Sequence, residues 1–367
     1  MNITTIGFVG LGLIGGSIAK ALRRVHPEYN IIAFDADKDS LLAAMSDGTL
    51  NQAHDTLSGG FSQCDIIFLC APVNINIENL KILAPILKEN CILTDVGSVK
   101  TQIHTAIRQM GLERHFVGGH PMAGSEKSGY VNANDRLLEN AYYILTPTPE
   151  VCEDAVHTMT ALARSITALP VVLDEKHHDY ITAAISHLPH IIAYTLVNLV
   201  KDSDDDAERM RMLAAGGFKD ITRIASSSPV MWQQICSENS ENLLEVLDAY
   251  IKSLENIADA VKNNEKDSLL QFFAQAKDYR DSIPKSKAKG TIRPLYEIYV
   301  DLIDESGAIA TIATILATNS ISIKNIGIVH NREFQEGVLR IEFYEGDAAE
   351  KAVTLLRRFH YVVHERS

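Results

Sequence analysis

His120 stands in the run Gly-Gly-His-Pro-Met-Ala-Gly-Ser-Glu-Lys-Ser-Gly, residues 118–129. Four glycines and a proline around one imidazole can bring backbone and ring close to a ligand. Histidine is the side chain best suited to take a proton near neutral pH. Removal of hydride from an alcohol carbon needs such a base, because the hydroxyl loses its proton as the carbon is oxidised. An isolated histidine is usually structural, but this loop setting favours catalysis. Ser125 and Glu126 follow in the same run, and Glu126 either sets the charge of a site or lies on the surface. Ser98, in Asp-Val-Gly-Ser-Val-Lys at 95–100, is either a helix N-cap or a hydroxyl that bonds a substrate alcohol. Lys219 and Arg223 lie four apart in Gly-Phe-Lys-Asp-Ile-Thr-Arg. On one helix face they suit a substrate with two carboxylates, with Arg able to hold one bidentately; the competing reading pairs them with surface acids.

A hydride chemistry needs an acceptor, and the N-terminus carries the pattern for one. Gly10-Leu11-Gly12-Leu13-Ile14-Gly15 follows a strand-like segment and precedes a helix-like one. Gly10 makes the tight turn, Gly12 lets backbone approach a pyrophosphate, and Gly15 lets the helix pack against the strand. Leu13 and Ile14 open that helix, whose free N–H groups and dipole favour phosphate. Asp35, at the end of a second apolar run, is placed to meet ribose hydroxyls, which argues for NAD over NADP. Ala71 and Pro72 end another strand on the same side of the sheet.

The elements that position these residues read as three regions. In the first 173 residues, β-type runs at 3–9, 31–34, 65–70, 91–95, 115–118, 142–146 and 168–173 alternate with helical patterns. That implies a parallel, doubly wound α/β sheet of Rossmann type, with ligands beyond the strand C-termini and His120 just past one strand end. Residues 174–283 read as all-helical. Asp174 caps a long helix, and Ser228-Pro229 caps another. Ser186-His187-Leu188-Pro189-His190 lies inside an apolar helix that Pro189 should kink; its histidines can be a core-edge pair, and His190 reads as one. Leu243, Leu247, Tyr250, Leu254, Ile257 and Val261 form a stripe that favours a subunit interface. Trp232 reads as core or interface. Residues 284–294 are basic and breaker-rich, a linker. Residues 295–367 follow a β-α-β-β-α-β order, ferredoxin-like.

Bulk properties bound the function. The chain has 367 residues, 46% hydrophobic and 22% charged, with a formal net charge of −13, so a general nucleic-acid surface is not expected. Five scattered cysteines without CxxC spacing fit a reducing compartment and no metal site. The apolar stretch near 188–200 reads as too short to span a bilayer. Met1 leads almost directly into the first strand, so no signal peptide is expected. The reading is a soluble, cytoplasmic protein.

Taken together, the runs at 95–100 and 118–129, Ser-His-Leu-Pro-His and Gly-Phe-Lys-Asp-Ile-Thr-Arg resemble the prephenate dehydrogenase family across essentially the whole chain. The C-terminal region resembles an ACT domain, an amino-acid-binding regulatory module, with Asp304 and Gly307 in the turn that often borders the effector. The resemblance implies NAD-dependent oxidative decarboxylation of prephenate, with His120 as base and Ser98 bonding the same ring hydroxyl. It implies that Arg223 holds a carboxylate and that Glu126, His187 and Lys219 line the substrate pocket, next to Ser125, with Trp232 reaching it from a partner subunit. It further implies a homodimer through the helical domain and feedback by an aromatic amino acid, with L-tyrosine as the expected effector. Arogenate dehydrogenase and a non-catalytic NAD/amino-acid sensor are the competing readings.

Overall fold

The structure, a computed structural model, describes residues 3–124, 127–283, 296–302, 307–329 and 338–365. Ser125, Glu126, Asp304 and the linker 284–294 lie outside the described residues. The chain divides into two compact units, Met1–Asp278 and Tyr279–Ser367.

The first unit opens with β1 (Thr5–Val9), α1 (Leu13–Val25), β2 (Asn30–Phe34), α2 (Lys38–Ser46), β3 (Gln52–His54), β4 (Ile66–Leu69), α3 (Val73–Leu83), β5 (Ile92–Asp95) and α4 (Thr101–Gln109). The five strands pair in parallel in the order β3-β2-β1-β4-β5. Alternate side chains feed two cores. Ile6, Phe8, Ile66 and Phe68 enter one. Val9, Ile67, Leu69 and Leu93 enter the other. A parallel sheet needs both faces covered, and near-continuous apolar strands supply them.

The expected sheet continues differently after α4. Next come β6 (Val117–Pro121), β7 (Tyr142–Pro147), α5 (Glu153–Ser165) and β8 (Leu169–Val172). They form a separate three-stranded sheet in which β6 and β7 are antiparallel. A single parallel bridge, Leu93 to Phe116, links this part to β5. The parallel Rossmann-type sheet expected from the sequence is present in β1–β5, and only its expected continuation through the later strands is corrected, because strand type alone carries no direction. The strand expected at 115–118 also begins and ends later, so His120 lies inside β6 and not beyond a strand end. Gly118 and Gly119 make that possible: a Cβ on Gly118 would sit 2.3 Å from the Thr146 hydroxyl, and one on Gly119 2.5 Å from the Asp95 carbonyl oxygen.

The helical part has α6 (Glu175–Thr182), α7 (Leu188–Ser203), α8 (Arg209–Leu213), α9 (Gly216–Thr222), α10 (Pro229–Glu238), α11 (Ser240–Lys262) and α12 (Lys266–Ser282). Asp174 caps α6 by accepting the His177 N–H at 2.9 Å, and Ser228 caps α10 ahead of Pro229. A π-helical turn, Ala183–His187, joins α6 to α7. Pro189 lacks the N–H an α-helix would use, and the wider turn absorbs that loss. The outcome is one helical run, Glu175–Ser203, of 29 residues. It is long and apolar enough by length and composition to cross a membrane, which corrects the shorter stretch read from the sequence.

The second unit contains β9 (Tyr296–Asp301), α13 (Ala308–Thr318), β10 (Ile323–Val329), β11 (Val338–Phe343), α14 (Gly346–Arg358) and β12 (Val363–Glu365). The antiparallel sheet runs β10-β11-β9-β12, the ferredoxin-like arrangement. Gly307 precedes α13 at φ +94°, a conformation that favours glycine. All five cysteines are free: Cys64 and Cys91 are buried, Cys70 and Cys236 half-buried, and Cys152 exposed.

Candidate active site

The C-terminal edge of the parallel sheet carries the glycine run. Gly10 has φ +96°, and its N–H donates to the Phe34 carbonyl at 2.8 Å. A Cβ there would lie 2.8 Å from Ala71 N. A Cβ on Gly15 would lie 2.7 Å from the Gly10 carbonyl and 2.9 Å from the Cys70 Cβ, so helix, turn and β4 close on one another. Gly12 differs, since nothing among the described residues lies within 4 Å of a Cβ built on it. Leu13 and Ile14 follow in a first helical turn that holds no acid, so the N-terminus of α1 keeps its positive end open. Asp35 accepts N–H groups from Leu11 and Asp37, which holds its carboxylate against the glycine run. Ala71 and Pro72 close the far side. The buried Asn76, which the sequence reading did not single out, fixes them by accepting from Ala71 N and donating to the Ala71 and Leu69 carbonyls. These residues fit a dinucleotide: open space at Gly12, a free helix N-terminus and a carboxylate at the end of β2.

His120 sits beside that edge, 8% exposed. Its Nδ1 is 2.8 Å from His178 Nε2, and His178 Nδ1 is 2.7 Å from Asp179 Oδ1. Asp179 also accepts the backbone N–H groups of Lys100 at 2.8 Å and Thr101 at 2.7 Å. Asp179 therefore caps α4, and Ser98 does not; Ser98 is half-buried in the connection after β5. Lys100, fully buried, donates through Nζ to Asp95 and to the Gly119 carbonyl. Asp95 in turn accepts the N–H of Gly119 at 3.1 Å. The strand bearing His120 is thus held at Gly119 by Asp95 and Lys100 and at the His120 ring by His178, which Asp179 holds in turn.

Electrostatics follow from this burial. Desolvation, reinforced by the neighbouring charges of His178, Lys100 and His187, pushes the His120 imidazole well below its ordinary value. Burial pulls the Lys100 ammonium down against the attraction of Asp95. Burial would raise the Asp179 carboxyl, but hydrogen bonds from His178, Thr101 and Lys100 hold it below the ordinary carboxylate value. A neutral imidazole close to a bound alcohol can act as a base at neutral pH.

The helical part adds an aromatic and cationic group. His190 stacks on Trp232 with ring centroids 3.7 Å apart, and His187 meets the same indole edge-on at 6.0 Å. Trp232 is 8% exposed and packs with Val99, Ile235, Tyr194 and Cys236, while its buried Nε1 has no hydrogen-bond partner among the described residues. His187 is buried, with Nδ1 3.2 Å from Asn239 Nδ2. The half-buried His190 feels the positive charge of Arg223, which adds to desolvation in lowering its pKa. Helix α9 ends at Thr222 and Arg223 opens a 3₁₀ turn, so Lys219 and Arg223, both exposed, do not share one continuous α-helix as their spacing suggested.

Residues 18–171 match the prephenate dehydrogenase nucleotide-binding domain, and residues 174–275 match the prephenate dehydrogenase dimerization domain. The chain belongs to the prephenate dehydrogenase family. It is similar to the prephenate dehydrogenase of Bacillus subtilis, 40% identical over 95% of this chain and 94% of the relative. It is 34% identical to that of Lactococcus lactis over 95% of this chain and 96% of the relative. Among solved structures it resembles Aquifex aeolicus prephenate dehydrogenase in complex with hydroxyphenyl propionate and NAD+. That similarity has a TM-score of 0.73 and 31% identity, over 77% of this chain and 99% of the other. It also resembles Synechocystis arogenate dehydrogenase, with a TM-score of 0.69 and 30% identity over 77% of this chain and 100% of the other.

In a prephenate dehydrogenase, the dimerization match places the long helical run Glu175–Ser203 in a segment built to meet a second subunit. Leu199, Ile251, Leu254 and Val261 expose apolar side chains there. The site residues that sequence reading passed over are His178, Asp179, Asp95, Lys100, Asn76 and Asn239. Asp95 and Lys100 flank Ser98 within one motif. His177-His178-Asp179 is a polar triplet near a helix start, a signal that was legible but pointed to no particular partner.

Proposed function

We propose that this chain oxidises prephenate to 4-hydroxyphenylpyruvate and CO₂, with His120 as base. The observation that carries the reading is the His120 ring itself. It is held beside the nucleotide end of the sheet with Nδ1 engaged by His178, and its Nε2 has no hydrogen bond among the described residues. NAD+, seated on Gly10, Gly12, Gly15 and Asp35, supplies the hydride acceptor. His120 Nε2 takes the proton of the ring hydroxyl as the carbinol carbon is oxidised, and Ser98 orients that hydroxyl. The resulting dienone loses its ring carboxylate as CO₂, and the electron pair left behind aromatises the ring and reaches the oxygen. His120 then returns the same proton to the phenolate, so the base ends neutral and no proton is released overall. Arg223 holds a substrate carboxylate, with Lys219, His187 and Trp232 around the substrate. Ser125 and Glu126 belong to the same proposal but lie outside the described residues.

The similarity to an arogenate dehydrogenase favours a second substrate, which carries an amino group where prephenate has its side-chain keto group. The kcat/KM ratio for prephenate and arogenate, measured through NADH absorbance, decides between them. His120→Asn should cut kcat by about 10²–10⁴-fold with little change in KM. A nearly active variant would remove His120 from this role. The C-terminal unit is proposed to bind L-tyrosine near Gly307 and lower turnover, and two copies are proposed to pair through α7 and α11. The same assays run with tyrosine present check the effector.

A further inference from the structure

We infer that His178 and Asp179 are positioning residues that decide which nitrogen of His120 carries its proton. The inference rests on the proposal that His120 is the base. A carboxylate only accepts hydrogen bonds, and Asp179 is held as one by the N–H groups of Lys100 and Thr101. The nitrogen facing it, His178 Nδ1, must therefore donate. With one proton on that ring, His178 Nε2 is an acceptor, so His120 Nδ1 must donate to it. The lone pair of His120 is thereby assigned to Nε2, the nitrogen that meets substrate. His178 and Asp179 are completely buried and His120 nearly so, so water cannot restore the other tautomer cheaply.

The direction of these bonds crosses a boundary within the first unit. His120 belongs to β6, in the segment matching the nucleotide-binding domain, whereas His178 and Asp179 belong to α6, in the segment matching the dimerization domain. Asp179 is further tied into the helical part through its carbonyl, which accepts from Asn239 Nδ2 at 2.8 Å. The helical segment thus dictates the proton pattern of a base that it does not itself carry.

Asp179→Asn tests this in the full-length protein. It removes the negative charge that holds the proton on His178 Nδ1, which frees His178 to present a protonated Nε2 to His120 Nδ1 and so leaves a proton on His120 Nε2. The expected result is a fall in kcat of about 100-fold or more. KM for prephenate and NAD+ should stay within about threefold. Imidazole ¹⁵N spectra, assigned with His120→Asn, should show a protonated Nδ1 on His120 in the parent and a protonated Nε2 in Asp179→Asn. A second pair of variants guards against simple misfolding. His178→Gln can still accept from His120 and donate to Asp179, so it should keep most of kcat, whereas His178→Met should lose as much as Asp179→Asn. Full turnover in Asp179→Asn, equal loss in the Gln and Met variants, or a protonated Nε2 on His120 in the parent would overturn the inference. If His120→Asn is inactive while Asp179→Asn is fully active, only the positioning role falls. If His120→Asn is itself active, the base assignment falls with it.

Discussion

At the scale of single residues, the chemistry was legible where type and local sequence sufficed, and illegible where the partner came from far along the chain. His120 stood out because glycines surround it. Its partner His178 is 58 positions away, and no short-range pattern joins them. The same limit applies to Ser98: a serine before a helix reads as a cap, yet the Asp179 carboxylate, 78 residues beyond Thr101 and 79 beyond Lys100, occupies that place. The cationic side of the site gives a direct test. Arg223 is exposed and close enough to lower the His190 pKa. Arg223→Ala should therefore raise KM for prephenate by about 10-fold or more, from loss of a charge-assisted bond, with a smaller effect on kcat. An unchanged KM would take Arg223 off the substrate carboxylate.

At the scale of elements, the glycine run separates fold from binding. Gly10 is needed by the fold itself, through its φ of +96° and the 2.8 Å approach to Ala71 N. Gly12 has φ −76° and open space around a Cβ. Gly10→Ala should cost about 1–3 kcal/mol of stability as well as nucleotide affinity. Gly12→Ala should melt within about 2 °C of the parent yet bind NAD+ at least about 10-fold more weakly, because only the ligand would fill that space. Calorimetric melts and NAD+ titrations of the two variants check the contrast. Element types were largely readable from apolar runs and caps such as Asp174 and Ser228. Strand direction was not. The reversal between β6 and β7 depends on the path of the connecting segment, which apolar periodicity does not record. The π turn escaped for a related reason: proline announces a lost hydrogen bond but not how the helix accommodates it.

At the scale of the whole molecule, two buried histidines tie stability to pH. Burial lowers His104 and His187 to about 4. In the unfolded chain each returns to roughly 6.5, so between those values the unfolded state binds more protons. Their contribution is full above about pH 6.5 and is lost as pH falls toward 4, on the order of 3 kcal/mol per histidine at the acid end. Urea midpoints should accordingly drop from pH 7.5 to 6 to 5, and a constant midpoint over that range would refute the assignment. The division into units was partly visible in the sequence, because the basic, breaker-rich run at 284–294 interrupts the apolar patterns. The cysteines carry a practical consequence. Burial raises the thiols of Cys64, Cys70, Cys91 and Cys236, with Cys91 at about 12, and the thiolate is the form that alkylates. Cys152, exposed at the start of α5, is thus left as the open address for a maleimide dye, and a fluorophore can be attached there without engineering any other position.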